Sequence, residues 1–223
     1  MMPHIHILFE FLSLLVALIY YPYLKPGYMK WFLPYLAFIF LSELQVAYQI
    51  YLDANKPNVT FYYFISILEY IFYNYIFYHL LGNRVIKKIV LYLILGVTLN
   101  FFLGFLFAAN KQTYLLVSLA IAGFLLSAIA QVYIYLKFIS DDETSTLLIS
   151  EPGFWIAFGV SIFFSGTCIV FSLHDFILKN QLEIFGFKLY HFVPRILSVF
   201  LYSGISVSLI LCKKRNKILL SPS

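Results

Sequence analysis

Seven long apolar runs constrain the fold of this chain more than any other feature. Each run holds about 20 mostly uncharged residues, the length that a helix needs to cross a hydrocarbon layer about 30 Å thick. Within such a layer a helix is favoured because it pairs its own backbone polar groups. We place the runs at residues 5–24, 30–52, 60–82, 86–108, 113–138, 153–177 and 190–212. The sequence therefore predicts an all-α fold, a polytopic transmembrane bundle of seven helices.

The composition excludes an ordinary soluble domain. Apolar residues make up 62% of the 223 residues and charged residues only 11%, against about 25% charged in a typical soluble domain. No stretch between the runs is long enough to hold a soluble domain. We therefore expect a single seven-helix domain over residues 1–223, with the lipid bilayer as its partner on all sides.

Polar and helix-breaking residues separate the runs. Examples are Lys25-Pro26-Gly27 after the first run and Gly82-Asn83-Arg84 after the third. Ser140 and Glu143 have the spacing of a capping box, which predicts a short cytoplasmic helix after the fifth run. The apolar residues 184–187, between the sixth and seventh runs, are expected to lie on the membrane surface.

The positions of lysine and arginine predict the orientation. One side of the predicted bundle carries ten of them and the other side carries four: Lys25, Lys30, Arg84, Lys87, Lys88, Lys137, Lys213, Lys214, Arg215 and Lys217 against Lys56, Lys111, Lys179 and Lys188. The side richer in Lys and Arg normally faces the cytoplasm. We therefore expect the N-terminus outside and the C-terminus in the cytoplasm. The net charge of +5 is thus explained by topology, and no nucleic-acid partner is expected.

Charged and amide side chains inside the runs are the main functional candidates, because a charged group at mid-bilayer costs about 3 kcal/mol and usually faces the bundle interior. Each run has one strong polar residue: Glu10, Glu43, Glu69, Asn100, Gln131, Ser165 and Arg195. At 1.5 Å per residue, five of them fall roughly 7–14 Å below the outer surface. We predict that these five form one ligand-binding pocket open to the outside: Glu10, Glu43, Glu69, Asn100 and Arg195.

The charges in that pocket limit its chemistry. We expect one glutamate to form a bidentate pair with the Arg195 guanidinium. A second should stay protonated, because three ionised carboxylates are costly in a low dielectric. Such a site binds a cationic or polyhydroxyl ligand. The alternative is that these groups only join the helices to one another.

Two further helices carry polar stripes. Small residues of the sixth run recur on one helical face, at Ser161, Ser165, Cys168 and Ser172, with Gly159 and Gly166 nearby. Small residues at this spacing predict close helix packing. The seventh run has a stripe that starts at Arg195 and continues through Ser198, Tyr202 and Ser206. No catalytic residue is predicted, because the nucleophile sequence GxSxG is absent, and no cofactor is expected.

Histidine and aspartate side chains at the outer ends of the first, sixth and seventh runs are candidate metal ligands. Imidazole and carboxylate groups suitable for zinc occur there as His4, His174, Asp175 and His191. No HxxxH or HExxH spacing accompanies them, and His4 and His6 fall on opposite faces of a helix. Simple hydration of these histidines is therefore the preferred interpretation. The two cysteines, Cys168 and Cys212, lie in apolar runs and form no metal or redox motif.

The first three runs resemble a group of uncharacterised seven-helix membrane proteins of Bacteroidota. The residues that carry the resemblance are Glu10 with the stretch 17–21, the stretch 32–36 leading to Glu43, and Tyr63, Glu69 and residues 72–75. The resemblance implies a bacterial inner-membrane location and no particular enzymatic activity.

Three functions remain open at the level of the sequence. The first is a receptor-like, accessory or effector component of a bacterial signalling, stress or defence system, with a cytoplasmic protein partner at residues 139–152 or at the basic tail. The second is a permease or channel for a small solute or protons, with Glu43 and Glu69 as titrating groups. The third is an intramembrane metal-dependent hydrolase. The residues favour a non-enzymatic role.

Overall fold

The long apolar runs of the sequence form helices whose bounds are close to those expected. The computed structural model describes residues 5–24, 27–51, 59–140 and 148–220, and the protein is about 90% helical. The helices are α1 (Ile5–Tyr20), α2 (Phe32–Tyr51), α3 (Val59–Leu80), α4 (Arg84–Phe107), α5 (Lys111–Ser140), α6 (Pro152–Ser172), α7 (His174–Lys179) and α8 (Leu189–Leu220). Short 3₁₀ turns cover Tyr21–Tyr23, Gly27–Trp31 and Leu148–Ser150. The all-α class is thus confirmed.

Among the described residues, six helical segments are long and apolar enough to cross a membrane. They are Ile5–Tyr23, Gly27–Tyr48, Arg84–Phe107, Lys111–Ile139, Pro152–Ser172 and Leu189–Lys214. The outer surface of these helices is rich in large apolar side chains, such as Phe107, Phe138 and Ile19. Exposed apolar surface on this scale fits a lipid environment and does not fit water.

Helix α3 coincides with the predicted third span but is less apolar than the other long helices. It has 22 residues, enough to cross the hydrocarbon layer. Its sequence, however, includes six tyrosines, an asparagine and Glu69, which lower its hydropathy. Much of this polar content points into the protein, because Tyr63, Tyr70 and Tyr73 are at most 2% exposed.

Asparagine side chains from the predicted interruptions cap the N-terminal ends of α4 and α5. The Asn83 carboxamide oxygen accepts hydrogen bonds from the backbone N–H of Val85 at 2.8 Å and of Ile86 at 3.5 Å, at the beginning of α4. Asn110 does the same for Thr113 at the beginning of α5, at 3.1 Å. Such caps satisfy amide groups that lack a partner within the helix. The polar tripeptides of the sequence are thus helix boundaries.

The connection between α6 and α8 differs from the expectation of a sixth span reaching residue 177. Helix α6 ends at Ser172, and the short helix α7 follows. A hairpin of two-residue strands, β1 (Glu183–Ile184) and β2 (Phe187–Lys188), then leads into α8. Phe185 and Gly186 form its turn with φ of +53° and +77°, the positive values of a type I′ turn. The apolar stretch is therefore a hairpin tip, with Phe185 87% exposed.

Helix α8 extends beyond the predicted end of the seventh span at residue 212. It continues to Leu220, so the first basic residues of the tail belong to the helix. The Lys213 ammonium lies 5.0 Å from the Tyr20 ring centre and 5.2 Å from the Tyr23 ring centre. These cation–π contacts join the end of α1 to α8. Residues 141–147 lie outside the described residues. They include half of the predicted partner segment 139–152 and all but the first residue of the short helix predicted from Ser140.

The closest helix contact is made by α6 and α8, where two glycines face each other. The Cα of Gly159 would lie 3.5 Å from a Cβ placed on Gly204, and the same Cβ would lie 2.6 Å from the backbone oxygen of Trp155. Small residues permit this approach of two backbones. The predicted small-residue face of α6 packs on α5 instead, where Ser165 lies 2.6 Å from Ser127.

We expect Gly204→Ala to lower the free energy of unfolding by about 1–3 kcal/mol, because the added methyl group meets backbone that cannot move aside. Gly96→Ala is the matched control, since nothing lies within 4 Å of a Cβ there. That change should be neutral or stabilise by up to about 1 kcal/mol through helix propensity. Unfolding in mixed detergent micelles measures both. Equal losses at the two positions would contradict close packing at Gly204.

Candidate functional site

The buried face of α1 is polar, the reverse of a helix in a soluble protein. Its buried residues are His6, Glu10, Ser13 and Ala17, which follow one another at i, i+4, i+7 and i+11 on one side of the helix. The most exposed residues of α1 are apolar, such as Leu8 and Ile19. In lipid this arrangement is favourable, because polar groups find partners only inside the bundle.

Three glutamates from three helices approach one another behind this face. Glu10 of α1 is only 3% exposed and interacts electrostatically with both Glu43 of α2 and Glu69 of α3. Glu43 also interacts with Glu69. The structure therefore brings together three of the five residues predicted to form a pocket. We call Glu10, Glu43 and Glu69 the carboxyl cluster.

Exposure differs among the three carboxyl groups. The side chain of Glu43 is 35% exposed, whereas one carboxyl oxygen of Glu10 is fully buried and has no hydrogen-bond partner within the described part of the chain. A buried carboxyl oxygen without a partner is costly. The cluster therefore has an accessible side at Glu43 and a deep side at Glu10 that lacks a donor.

Tyrosine hydroxyls surround the deep side of the carboxyl cluster. Tyr35 of α2 donates to a carboxyl oxygen of Glu69 at 3.4 Å, a long hydrogen bond. Tyr73 of α3 and Tyr202 of α8 are 0% and 3% exposed, and each interacts electrostatically with Glu10 and Glu69. Aromatic rings and hydroxyl groups thus line the cluster where charged partners are missing.

His6 lies beside the accessible glutamate. Its Nε2 atom is 3.7 Å from a carboxyl oxygen of Glu43, an ion pair if the imidazole is protonated. The residue is 8% exposed, and its Nδ1 atom has no partner in the described structure. Sequence reasoning did not include His6 among the pocket residues. Its spacing of four residues from Glu10 could have identified it, since i and i+4 share a helix face.

Hydrogen bonds fix α1 to α8 one turn beyond the carboxyl cluster. The Ser13 hydroxyl donates to the backbone oxygen of Tyr202 at 2.8 Å and lies 2.9 Å from the Ser206 hydroxyl. Ser206 in turn donates to the same Tyr202 oxygen at 2.9 Å. The predicted stripe on α8 therefore faces α1 at Tyr202 and Ser206. Tyr202 connects it to the cluster.

Arg195 does not form the predicted pair with a glutamate. In the described part of the chain, no carboxyl group lies within ion-pair distance of its guanidinium. Arg195 precedes Tyr202 by seven residues on α8, which places it about 10 Å farther along the helix. Arg195 thus lies nearer the N-terminal end of α8 than Tyr202 does. Tyr62 of α3 interacts electrostatically with both Glu43 and Arg195.

Asn100 belongs to a separate site. Its amide nitrogen donates to the Ser118 hydroxyl at 2.9 Å, and its oxygen accepts from the Tyr114 hydroxyl at 2.7 Å. Both partners lie on α5, and α4 packs against α3 and α5. Asn100 has the depth expected of a pocket residue but faces another neighbour. Here the alternative interpretation, a hydrogen bond that joins helices, describes the geometry.

Polar groups of α5 and α6 are likewise satisfied within the helix interface. Ser127 lies 2.6 Å from the Ser165 hydroxyl, and the Gln131 amide donates to Ser127 at 3.2 Å and to Ser161 at 3.4 Å. At one end of the same pair, Lys137 and Glu151 form an ion pair at 2.9 Å. These contacts connect α5 to α6 and leave little polar capacity for a ligand.

The proposed metal ligands do not form a complete site among the described residues. His174 Nδ1 lies 3.1 Å from an Asp175 oxygen, but no group of three His, Cys, Asp or Glu side chains suited to a metal occurs in residues 5–24, 27–51, 59–140 and 148–220. His191 lies near His174, with Tyr190 between their rings. His4 falls outside the described residues.

Comparison with known proteins places the chain in no family. No protein-family model, no curated protein and no solved structure matches it. Function must therefore be argued from the carboxyl cluster and its surroundings.

Proposed function

We propose that this protein is a receptor-like, multi-pass membrane protein that binds a cationic ligand in the carboxyl cluster. One observation carries the proposal: three glutamates lie close enough to interact electrostatically, and in the described structure their one ion-pair contact is that of His6 with Glu43, with no Lys or Arg within ion-pair distance. Buried carboxyl groups need a counter-charge or a proton. A bound cation supplies the counter-charge that no Lys or Arg provides, above all at Glu10, whose buried oxygen has no hydrogen-bond partner among the described residues.

The aromatic lining favours an organic cation over a metal ion. Tyr73 and Tyr202 interact electrostatically with Glu10 and Glu69, and Tyr35 donates to Glu69. Aromatic rings attract ammonium groups through their negative faces. A small metal ion would prefer several oxygen ligands at fixed short distances. A ligand with an amine or quaternary ammonium group fits this mixture of rings and carboxyl groups.

Helix α8 offers a route from the cluster to the other end of the molecule. It carries Tyr202 beside Glu10 and continues without interruption to Leu220. A ligand that displaces Tyr202 would therefore shift a rigid rod that ends in the basic tail. Shifts of packed helices are a common form of signal transmission. The proposed cytoplasmic partner binds that tail or residues 139–152.

We further propose that α3 is a seventh crossing, that the N-terminus lies outside and the C-terminus in the cytoplasm, and that the membrane is a bacterial inner membrane. The distribution of Lys and Arg supports the orientation, and the resemblance to seven-helix proteins of Bacteroidota supports the location. The burial of three tyrosines of α3 supports a crossing that is surrounded by protein on several sides.

A proton-coupled permease is the second candidate function. The graded exposure of the cluster, from the partly exposed Glu43 to the buried Glu10, resembles the first steps of a proton path. Proton uptake or solute flux into proteoliposomes that is lost in Glu69→Gln would establish this candidate in place of a receptor. A metal-dependent hydrolase has no comparable support, given the absence of a three-ligand group among the described residues.

Cation binding is tested by thermal stabilisation of the purified protein. Choline and putrescine are the probes, with sodium chloride and myo-inositol as charge and polyol controls. We expect saturable stabilisation of the wild type, reaching about 2.7 kcal/mol at a hundredfold excess over Kd, and its loss in Glu43→Gln and Glu69→Gln.

Two variants serve as controls for this measurement. Glu183→Gln removes an exposed carboxyl group of the hairpin and should bind as the wild type does. Asn100→Ala should lose about 1 kcal/mol of stability through its two hydrogen bonds yet keep the cation effect. If neither organic cation stabilises the wild type more than sodium chloride does, the receptor proposal is wrong.

The seventh crossing is tested with alkaline phosphatase and fluorescent-protein fusions on either side of α3. With α3 across the membrane, a phosphatase inserted at residues 52–58 is active and one inserted at residue 82 is inactive, while a fluorescent protein at the C-terminus is fluorescent. If α3 does not cross, the two insertions report the same side. The comparison within one protein controls for expression.

A further inference from the structure

A groove of about 460 Å³ runs between α2 and α3. Its walls are two rows of side chains, one from residues 31–38 at the start of α2 and the turn before it, the other from residues 68–75 of α3. In each row the lining residues recur at i, i+3, i+4 and i+7, one helical face. The volume is within the range of about 300–1,000 Å³ found for small-molecule sites.

The groove is apolar and ends at the carboxyl cluster. Its lining consists of aromatic and aliphatic side chains with one proline. At its floor the Tyr35 ring stacks on Phe72, with ring centres 3.7 Å apart and planes at 6°. The hydroxyl of the same Tyr35 donates to Glu69. Tyr35 thus forms both the floor of the groove and one side of the cluster.

One end of the groove is aromatic and basic. Trp31, which ends the 3₁₀ turn before α2, is 58% exposed, and Lys30 precedes it with its ammonium 5.6 Å from the Tyr21 ring centre. Beside the other wall, Lys87 of α4 lies 5.2 Å from the ring centre of Tyr78, which is one turn beyond the last lining residue of α3. Tryptophan and lysine in this arrangement are typical of the level of lipid headgroups.

We propose that this groove binds an anionic phospholipid. An acyl chain lies against the apolar walls, and the phosphate faces the ammonium groups of Lys30 and Lys87. Both lysines lie at one end of the groove, so the basic groups match the anionic headgroup and the apolar walls match the acyl chain. A basic residue near the membrane surface contributes about 1 kcal/mol toward an anionic lipid, which zwitterionic lipids do not gain. The site does not depend on what the carboxyl cluster binds.

The natural tryptophans allow a direct test. The chain has two of them, so Trp155→Phe leaves Trp31 in the groove as the sole emitter. This variant is reconstituted in phosphatidylcholine vesicles that contain equal mole fractions of either dibrominated phosphatidylglycerol or dibrominated phosphatidylcholine. We expect the anionic lipid to quench Trp31 more strongly, with an affinity ratio of about fivefold or more. Equal quenching by both would overturn the proposal and leave only annular lipid.

Two pairs of variants separate the charge from the shape of the site. Lys30→Gln should bring the affinity ratio toward one, whereas Lys88→Gln, an exposed lysine of α4 at the same end, should not. Ile71→Phe fills the groove and should reduce quenching by both lipids, whereas Leu95→Phe, on an exposed face of α4, should leave it unchanged. Unchanged quenching in Ile71→Phe would also contradict a lipid in the groove.

Native mass spectrometry gives a second readout that needs no tryptophan variant. Wild-type protein, released from detergent after equilibration with both lipids, should retain phosphatidylglycerol in preference to phosphatidylcholine, and Lys30→Gln should lose that preference. Retention of both lipids in proportion to their supply would reject the site. Cation stabilisation of the same samples is measured in parallel, so that failure at the groove is distinguished from failure at the carboxyl cluster.

Discussion

Hydrocarbon offers no hydrogen-bond partner, and this constraint organises the whole molecule. The chain satisfies its backbone polar groups by hydrogen bonds within helices and places polar side chains inside the bundle. Helix α1 shows the result most directly, since its buried residues are His6, Glu10, Ser13 and Ala17 while its leucines face outward. Every inward polar group must then find a partner inside the bundle. Where the chain supplies none, as at the buried oxygen of Glu10, a functional role is the natural explanation.

The bundle meets this demand in two different ways. Helices α5, α6 and α8 approach closely through glycine and serine, and polar groups of α5 and α6 bond to one another, as Ser127 and Ser165 show. Around the carboxyl cluster, by contrast, large tyrosine rings and carboxyl groups separate the helices. The first arrangement is closely packed, and the second is the one at which we propose a cation site. Helix α8 belongs to both, which connects the closely packed part to the site.

Much of the fold could be predicted from the sequence, because helix bounds follow from apolar length and from caps such as Asn83. The ligand pocket itself stays a prediction. Depth along each helix is readable from residue counts, and the structure does bring Glu10, Glu43 and Glu69 within electrostatic range of one another. Depth does not reveal which neighbour a side chain faces, and Asn100 has its hydrogen-bond partners on α5 instead. The tyrosines were missed because aromatic residues occur throughout this chain, and no spacing relates Tyr35 to Glu69.

The many tyrosines of α3 are explained by the helices that surround it. It packs against α4 and α5 and carries a stacked ring contact to α2 at Phe72. Its hydroxyl groups find acceptors there: Tyr63 donates to the backbone oxygen of Lys111 at 3.0 Å and Tyr70 to that of Leu93 at 3.3 Å. A helix whose tyrosines bond to neighbouring helices does not need the hydropathy of a lipid-facing one. The low hydropathy of α3 is therefore compatible with a crossing, and one of its buried tyrosines, Tyr73, also interacts electrostatically with the carboxyl cluster.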